Sequence, residues 1–294
     1  MLDGFEKILR TIYAYISNTV ILTFPLLNTV LIVMAGCFGS MLYHKVRPSH
    51  KDVLLKALGI AAIIMGFSQF WDGFFTLNVG QFETKGTMLV LFALLLGYVL
   101  GDALALDRYI GRLGLWLNRL VAKNPDSAAK SGTTSGKAAA KKSATPELVK
   151  DGDRSLSQGF ILACVFCAFS APTIRSAIEF QTAEDAAPLL VKLGFDIAVI
   201  FTLAIIYGTG VTFVAAPVLA VEGVFLLSYT LFTSFLTPDL VNQLCLIGAV
   251  MLITLGIRLG LGQKSRAANF IPAYLIPVIW ALITLVVDKL MKSE

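Results

Sequence analysis

Long apolar runs separated by short polar connectors dominate the chain, and each run lacks the strict alternation of a barrel strand. A membrane-spanning helix needs about 20 mostly apolar residues. Residues 18–43, 53–71, 87–106, 158–178, 189–207, 212–236, 240–261 and 270–287 meet that requirement, which predicts eight spans in an all-α, polytopic transmembrane bundle. Pro172 interrupts the fourth run and Pro217 the sixth, so both are read as candidate broken helices. Ahead of the first run, Leu2, Phe5, Ile8, Leu9, Ile12 and Ile16 recur at helical spacing against Asp3, Glu6, Lys7 and Arg10. Residues 1–17 are therefore predicted to form an amphipathic helix lying in the membrane interface. Without a small-residue cleavage site this start is a poor signal peptide, and the N-terminus is expected to be retained.

Between residues 107 and 156 the pattern changes twice. Tyr109, Leu113, Trp116, Leu117 and Leu120 share one helical face while Arg108, Arg112 and Arg119 occupy another, predicting a basic amphipathic helix over 108–123 on the inner leaflet. Residues 124–155 contain the Ser/Ala/Gly/Lys tract NPDSAAKSGTTSGKAAAKK, which has no apolar periodicity and is predicted to be a disordered cytoplasmic linker. This divides the chain into a first transmembrane group of three spans over 18–107 and a second of five over 156–294. Residues 54–64, LLKALGIAAII, echo residues 189–200, LLVKLGFDIAVI, and in this topology the two spans run in opposite directions, as a weak inverted repeat requires. Chance likeness of two leucine-rich helices is the competing explanation.

Composition agrees with the pattern: 56% of the 294 residues are apolar and 15% charged, and the mean hydropathy is +0.78. The net charge of +5 would suggest nucleic acid in a soluble protein. Here the basic residues concentrate in connectors, with ten basic against four acidic residues between Arg108 and Arg154. By the positive-inside rule the basic loops are cytoplasmic, both termini lie outside, and the bilayer rather than nucleic acid is the expected partner. The chain is expected in a bacterial inner membrane.

An ionisable side chain at bilayer depth costs about 3 kcal/mol or more on insertion scales, so it is expected to meet a partner or line a solute path. Asp196 lies inside the apolar run 189–207, with Lys192 one turn earlier on the same face. The pair is read either as a solute- or cation-binding carboxylate tuned by its lysine, or as a structural ion pair. Glu222 is a second candidate buried carboxylate. Arg175 and Glu179 follow Pro172, where a break at membrane depth would let Arg175 attract an anion; if the helix instead ends at the outer surface, both are wet. Asn28 and Asn269 open apolar stretches as candidate binding, capping or helix-bridging amides. Gly208 and Gly210 are read as a tight turn or an unwound hinge. Gly97 and Gly101, like Gly256 and Gly260, suit close helix packing, and these small faces make a homodimer reasonable. Cys164 and Cys167 are read as packing residues, and His44 and His50 as surface residues. No metal, cofactor or catalytic residue is proposed, and the chain is not expected to be an enzyme.

Several of these residues recur as ordered motifs. Asn28 lies in PLLNT; Gly97 and Gly101 precede Asp102; LDRYIGRLGLWL follows. Beyond the linker come Lys192, Asp196, Gly208-Thr209-Gly210-Val211, Pro217, Gly223 and the segment Ala268-Asn269-Phe270-Ile271-Pro272-Ala273. In this spacing the chain resembles the bacterial membrane-protein family known as domain of unknown function 554. The resemblance implies a polytopic membrane fold and singles out these positions without supplying an activity. Three stretches depart from the family pattern: FSAPTIRSAIEF replaces a glycine-rich turn, Ile178-Glu179-Phe180 replaces Gln-Asp-Gly, and Arg258 replaces an asparagine. If these line a path, this member carries a different solute.

The functional expectation is a secondary transporter of a small polar or charged solute, coupled to a proton or cation gradient through buried carboxylates. Its alternatives are an ion channel and a membrane scaffold or sensor.

Overall fold

The computed structural model describes residues 24–74, 76–78, 81–83, 87–121, 151–176, 187–231, 236–261 and 266–291. The interfacial helix expected over 1–17, most of the linker and Glu179 lie outside the described residues. Helix α1 (Phe24–Leu42) is followed by α2 (Pro48–Phe74). A small antiparallel hairpin, β1 (Thr76–Asn78) and β2 (Gln81–Glu83), leads into α3 (Thr87–Ala103) and α4 (Leu106–Val121). The second half contains α5 (Asp151–Cys167), a short helix α6 over 171–176, and α7 (Ala187–Tyr207). A 3-10 turn (Thr209–Val214) enters α8 (Ala215–Leu231), and after α9 (Pro238–Leu261) a second (Ala267–Tyr274) enters α10 (Leu275–Met291).

The protein is a membrane-embedded helical bundle. Leu95 and Ile64 are 67% and 66% exposed, as are large apolar side chains on α1, α2, α3 and α10, an outer surface suited to hydrocarbon rather than water. Five helices among the described residues are long and apolar enough to cross a membrane, or six if α3 and α4, bent by 58°, count together. Eight spans were expected. The difference lies where runs of apolar residues are not single helices. The run 158–178 is helical only to Cys167 before it breaks, and the run 212–236 begins as a 3-10 turn and continues as the 17-residue α8. Seventeen residues rise only about 25 Å, short of a hydrocarbon core of about 30 Å.

The prolines mark the openings of helices rather than the breaks. Pro172 lies in the first turn of α6 and Pro217 in the first turn of α8, where a missing N–H costs no intrahelical bond. The interruptions lie upstream, at residues 168–170 and at Gly208. The helix α5 also begins at Asp151, inside the stretch 124–155 assigned to the linker.

Glycine faces set the closest approaches. Gly59, Gly66 and Gly73 of α2 meet Gly260, Ile253 and Leu246 of α9 in descending order, so the two helices run antiparallel. Gly97 and Gly101 of α3 lie against Ala273 and Asn269 of the second 3-10 turn. Gly111 and Gly114 turn α4 against Ser157 and Phe160 of α5, leaving Tyr109, Leu113 and Trp116 outward as their spacing predicts. Between α3 and α4, Ala105 adopts φ 52°, a left-handed conformation that turns the chain.

Helices α1 and α7 lie parallel. Phe24 packs with Leu189 and Leu193, Gly39 faces Phe201 and Ala204, and Tyr43 covers Gly208. Helix α5 runs the other way, with Gly159 beside Tyr207 and Cys167 beside Lys192. The bundle thus has a basic end, carrying His44, Arg47, Arg108 and Gly208, and an opposite end carrying Asp72 and Arg175.

Candidate functional site: a buried charge cluster beside a broken helix

Midway along α7, Asp196 has no exposed surface, and Lys192 and Glu222 are each 1% exposed. One turn separates Lys192 from Asp196, so the lysine folds along its own helix and pairs with Asp196 Oδ2. Its Nζ also lies 2.8 Å from Glu222 Oε1, joining α7 to α8. From α1, fully buried Asn28 donates to Asp196 Oδ2 at 2.9 Å and to Glu222 Oε1 at 2.6 Å. Four candidates from the sequence, Asn28, Lys192, Asp196 and Glu222, therefore converge on one point from three helices.

The fourth wall is the break in α5. A helix that stops inside the bundle leaves carbonyls without their intrahelical donors. Lys192 Nζ donates to the Cys167 carbonyl at 3.5 Å and Thr173 Oγ1 donates to the same oxygen at 2.8 Å. Tyr274 Oη donates to the Phe169 carbonyl at 2.7 Å. Beyond the break, α6 passes so close to α9 that a Cβ on Gly248 would stand 2.5 Å from the Ala171 nitrogen. The Cys167 carbonyl has two such donors, whereas removing the Tyr274 hydroxyl takes away the side-chain donor to the Phe169 carbonyl. The substitution Tyr274→Phe is expected to lower unfolding stability in detergent by about 1 to 3 kcal/mol, checked by equilibrium unfolding against wild type.

The break itself lies beside Lys192, but Arg175 stands apart from the cluster. It reaches the end of α2, donating to Asp72 Oδ2 at 3.0 Å and to Gln69 Oε1 at 3.1 Å, with its side chain 35% exposed. Asn269 is equally separate from the cluster. It is buried at the basic end, where its amide donates to Asp102 Oδ1 at 3.1 Å and Arg266 donates to the same oxygen at 2.6 Å. Gly208, at φ 83°, closes α7 at that end, and buried Gly210 packs on Leu156, so this glycine pair forms a turn outside the cluster.

Sequence reasoning did not find the Cys167 carbonyl or Tyr274. A backbone oxygen carries no residue-type signal. Only the proline three to five residues downstream hinted at a break there. Cys167 is a packing residue by burial, yet its thiol also lies within interaction range of Asp196.

With its three ionisable groups charged the cluster carries one net negative charge. Among the described residues, no His, Cys, Asp and Glu group is arranged to hold a metal ion. The helices, the lipid-facing surface and this dehydrated cluster define a polytopic membrane protein organised around buried charge. The chain belongs to the family described as "Protein of unknown function (DUF554)", whose model matches residues 24–282. It is similar to the "Uncharacterized membrane protein YdfK" of Bacillus subtilis (strain 168), with 22% identity over 250 residues covering 85% of this chain and 91% of that protein. No solved structure matches it.

Proposed function

We propose that the protein is a secondary transporter of a small polar or charged solute, coupled to a proton or cation gradient and working by alternating access around Asp196 and Glu222. The observation that carries this reading is the burial of two carboxylates and a lysine midway along apolar helices, beside an interrupted helix. Interrupted helices and ionisable groups near the midplane are how many carriers build a site that two half-bundles can expose in turn. A purely structural ion pair needs one carboxylate for one lysine, and this cluster has two. By the positive-inside rule, the basic connectors support a cytoplasmic side for His44, Arg47 and Arg108 in an inner membrane.

The dehydration of Asp196 and Glu222 favours a carrier over a channel, whose charged lining must stay wet to conduct. Either Asp196→Asn or Glu222→Gln leaves one carboxylate to balance Lys192, so both variants are expected to fold. Both are expected to lose gradient-driven uptake in proteoliposomes screened with amino acids, organic cations and organic anions. Normal coupled uptake by either variant would overturn the reading.

A further inference from the structure

The hydrogen-bond valences of the cluster are unevenly filled. A lysine ammonium has three hydrogens. Lys192 Nζ has three oxygen partners, Asp196 Oδ2, Glu222 Oε1 and the Cys167 carbonyl. The two amide hydrogens of Asn28 go to Asp196 Oδ2 and Glu222 Oε1. Every donor on Lys192 and Asn28 is engaged. What remains is acceptor capacity: Asn28 Oδ1, Asp196 Oδ1 and Glu222 Oε2 are buried without a hydrogen-bond partner among the described residues. An anion or a neutral acceptor finds no donor here, whereas a cation finds three oxygens and a negative charge to cancel.

We infer that this cation is a proton carried on Glu222 Oε2, with Asp196 the fixed counterion of Lys192. The inference deepens the transporter reading by naming its coupling ion, and rests on that reading only for the coupling. A hard metal cation such as Ca²⁺ or Mg²⁺ takes six or so oxygen ligands. Three oxygens around a resident ammonium suit a proton better, since it needs one oxygen to bind and one acceptor to receive its hydrogen bond.

Glu222 is assigned the proton because Lys192 and Asp196 stand one turn apart on the same helix, so their pairing is built into α7, whereas Glu222 reaches the lysine from α8. The groups facing Glu222 are Lys192 and Asp196 from α7 and Asn28 from α1. Asp196 shares the lysine and the amide with Glu222, but its place on the lysine's own helix fixes it as the standing counterion. Protonation adds one hydrogen to Glu222 Oε2 and brings the cluster from one net negative charge to none. On release the charge returns, and an incoming solute cation can then take the proton's place.

Infrared difference spectra of the purified protein in sodium-free detergent buffer, recorded across pH, test this directly. The expected result is a titrating carboxylic-acid carbonyl band in wild type that is lost in Glu222→Gln and moved in Glu222→Asp. The band is expected to be lost in Asp196→Asn as well, because Glu222 must then ionise to balance Lys192. Absence of a protonated carboxyl in wild type overturns the inference, and so does a band that survives Glu222→Gln. Sodium that removes the band while raising the thermal midpoint overturns it too, by showing a metal cation in the proton's place. The wild-type spectrum needs no variant to fold. A titrating Glu222 whose proton drives no solute flux in proteoliposomes would uphold the site while removing the transporter reading.

Discussion

Lys192→Met is expected to be the most damaging single substitution in the bundle. It leaves Asp196 and Glu222 facing each other, fully buried, with the Asn28 amide their remaining side-chain donor from α1. Breaking a buried ion pair by removing one partner costs about 3 to 5 kcal/mol, because the surviving charge has neither water nor a counterion. The same substitution removes a donor from the Cys167 carbonyl at the break in α5. Equilibrium unfolding in mild detergent is expected to show that loss, and the double variant Lys192→Met/Asp196→Asn is expected to recover most of it. A double variant as unstable as the single one would mean that packing of the lysine stem, not charge balance, sets the cost.

Gly101→Ala should rank second. A Cβ at this position would collide with the carbonyl oxygen of Asn269 and stand 2.7 Å from its carbonyl carbon and Cα. All three are backbone or backbone-attached atoms of a 3-10 turn and cannot rotate aside. Overpacking of this kind typically costs about 1 to 3 kcal/mol, and here it also pushes apart Asp102 and Asn269, which hydrogen bond one residue away. The matched control is Gly194→Ala, on α7 beside the charge cluster, where an added Cβ meets nothing within 4 Å. That change is expected to be neutral or to stabilise by up to about 1 kcal/mol, since alanine favours a helix over glycine. Thermal midpoints in detergent separate the two; equal midpoints would show that α3 can move away from the turn.

These two substitutions also mark what could be read from the amino-acid sequence. Asp196 and Lys192 were visible because ionisable residues stand out in an apolar run and a four-residue spacing places them on one helical face. Glu222 and Asn28 were visible singly, by the same contrast. Their meeting was not, because it depends on α1 lying parallel to α7, and no local pattern specifies which helices become neighbours. Arg175 and Asn269 looked like members of the same group for the same reason. They belong to opposite ends of the bundle because α6 and the second 3-10 turn carry them there. Hydropathy is blind to backbone conformation, so the exact places where the two candidate broken runs leave the α-helix, residues 168–170 and 208–214, were not legible. Small-residue spacing fared better: the glycines at 97, 101, 256 and 260 were assigned to close packing, and three of them now face a neighbouring backbone.

The glycine seam between α2 and α9 has a consequence for the order in which the molecule is made. Its two sides are separated in the chain by more than half the length of the protein, Gly59 lying against Gly260 and Gly73 against Leu246. While the ribosome is still adding α3 to α8, α2 is already synthesised, and its notched face has no partner of matching shape. Contacts between such distant segments form late and leave early segments waiting. A nascent chain stopped before residue 238 therefore holds a grooved α2 open to whatever small-faced helix it meets first. Release of the last fifth of the chain is the event that closes it.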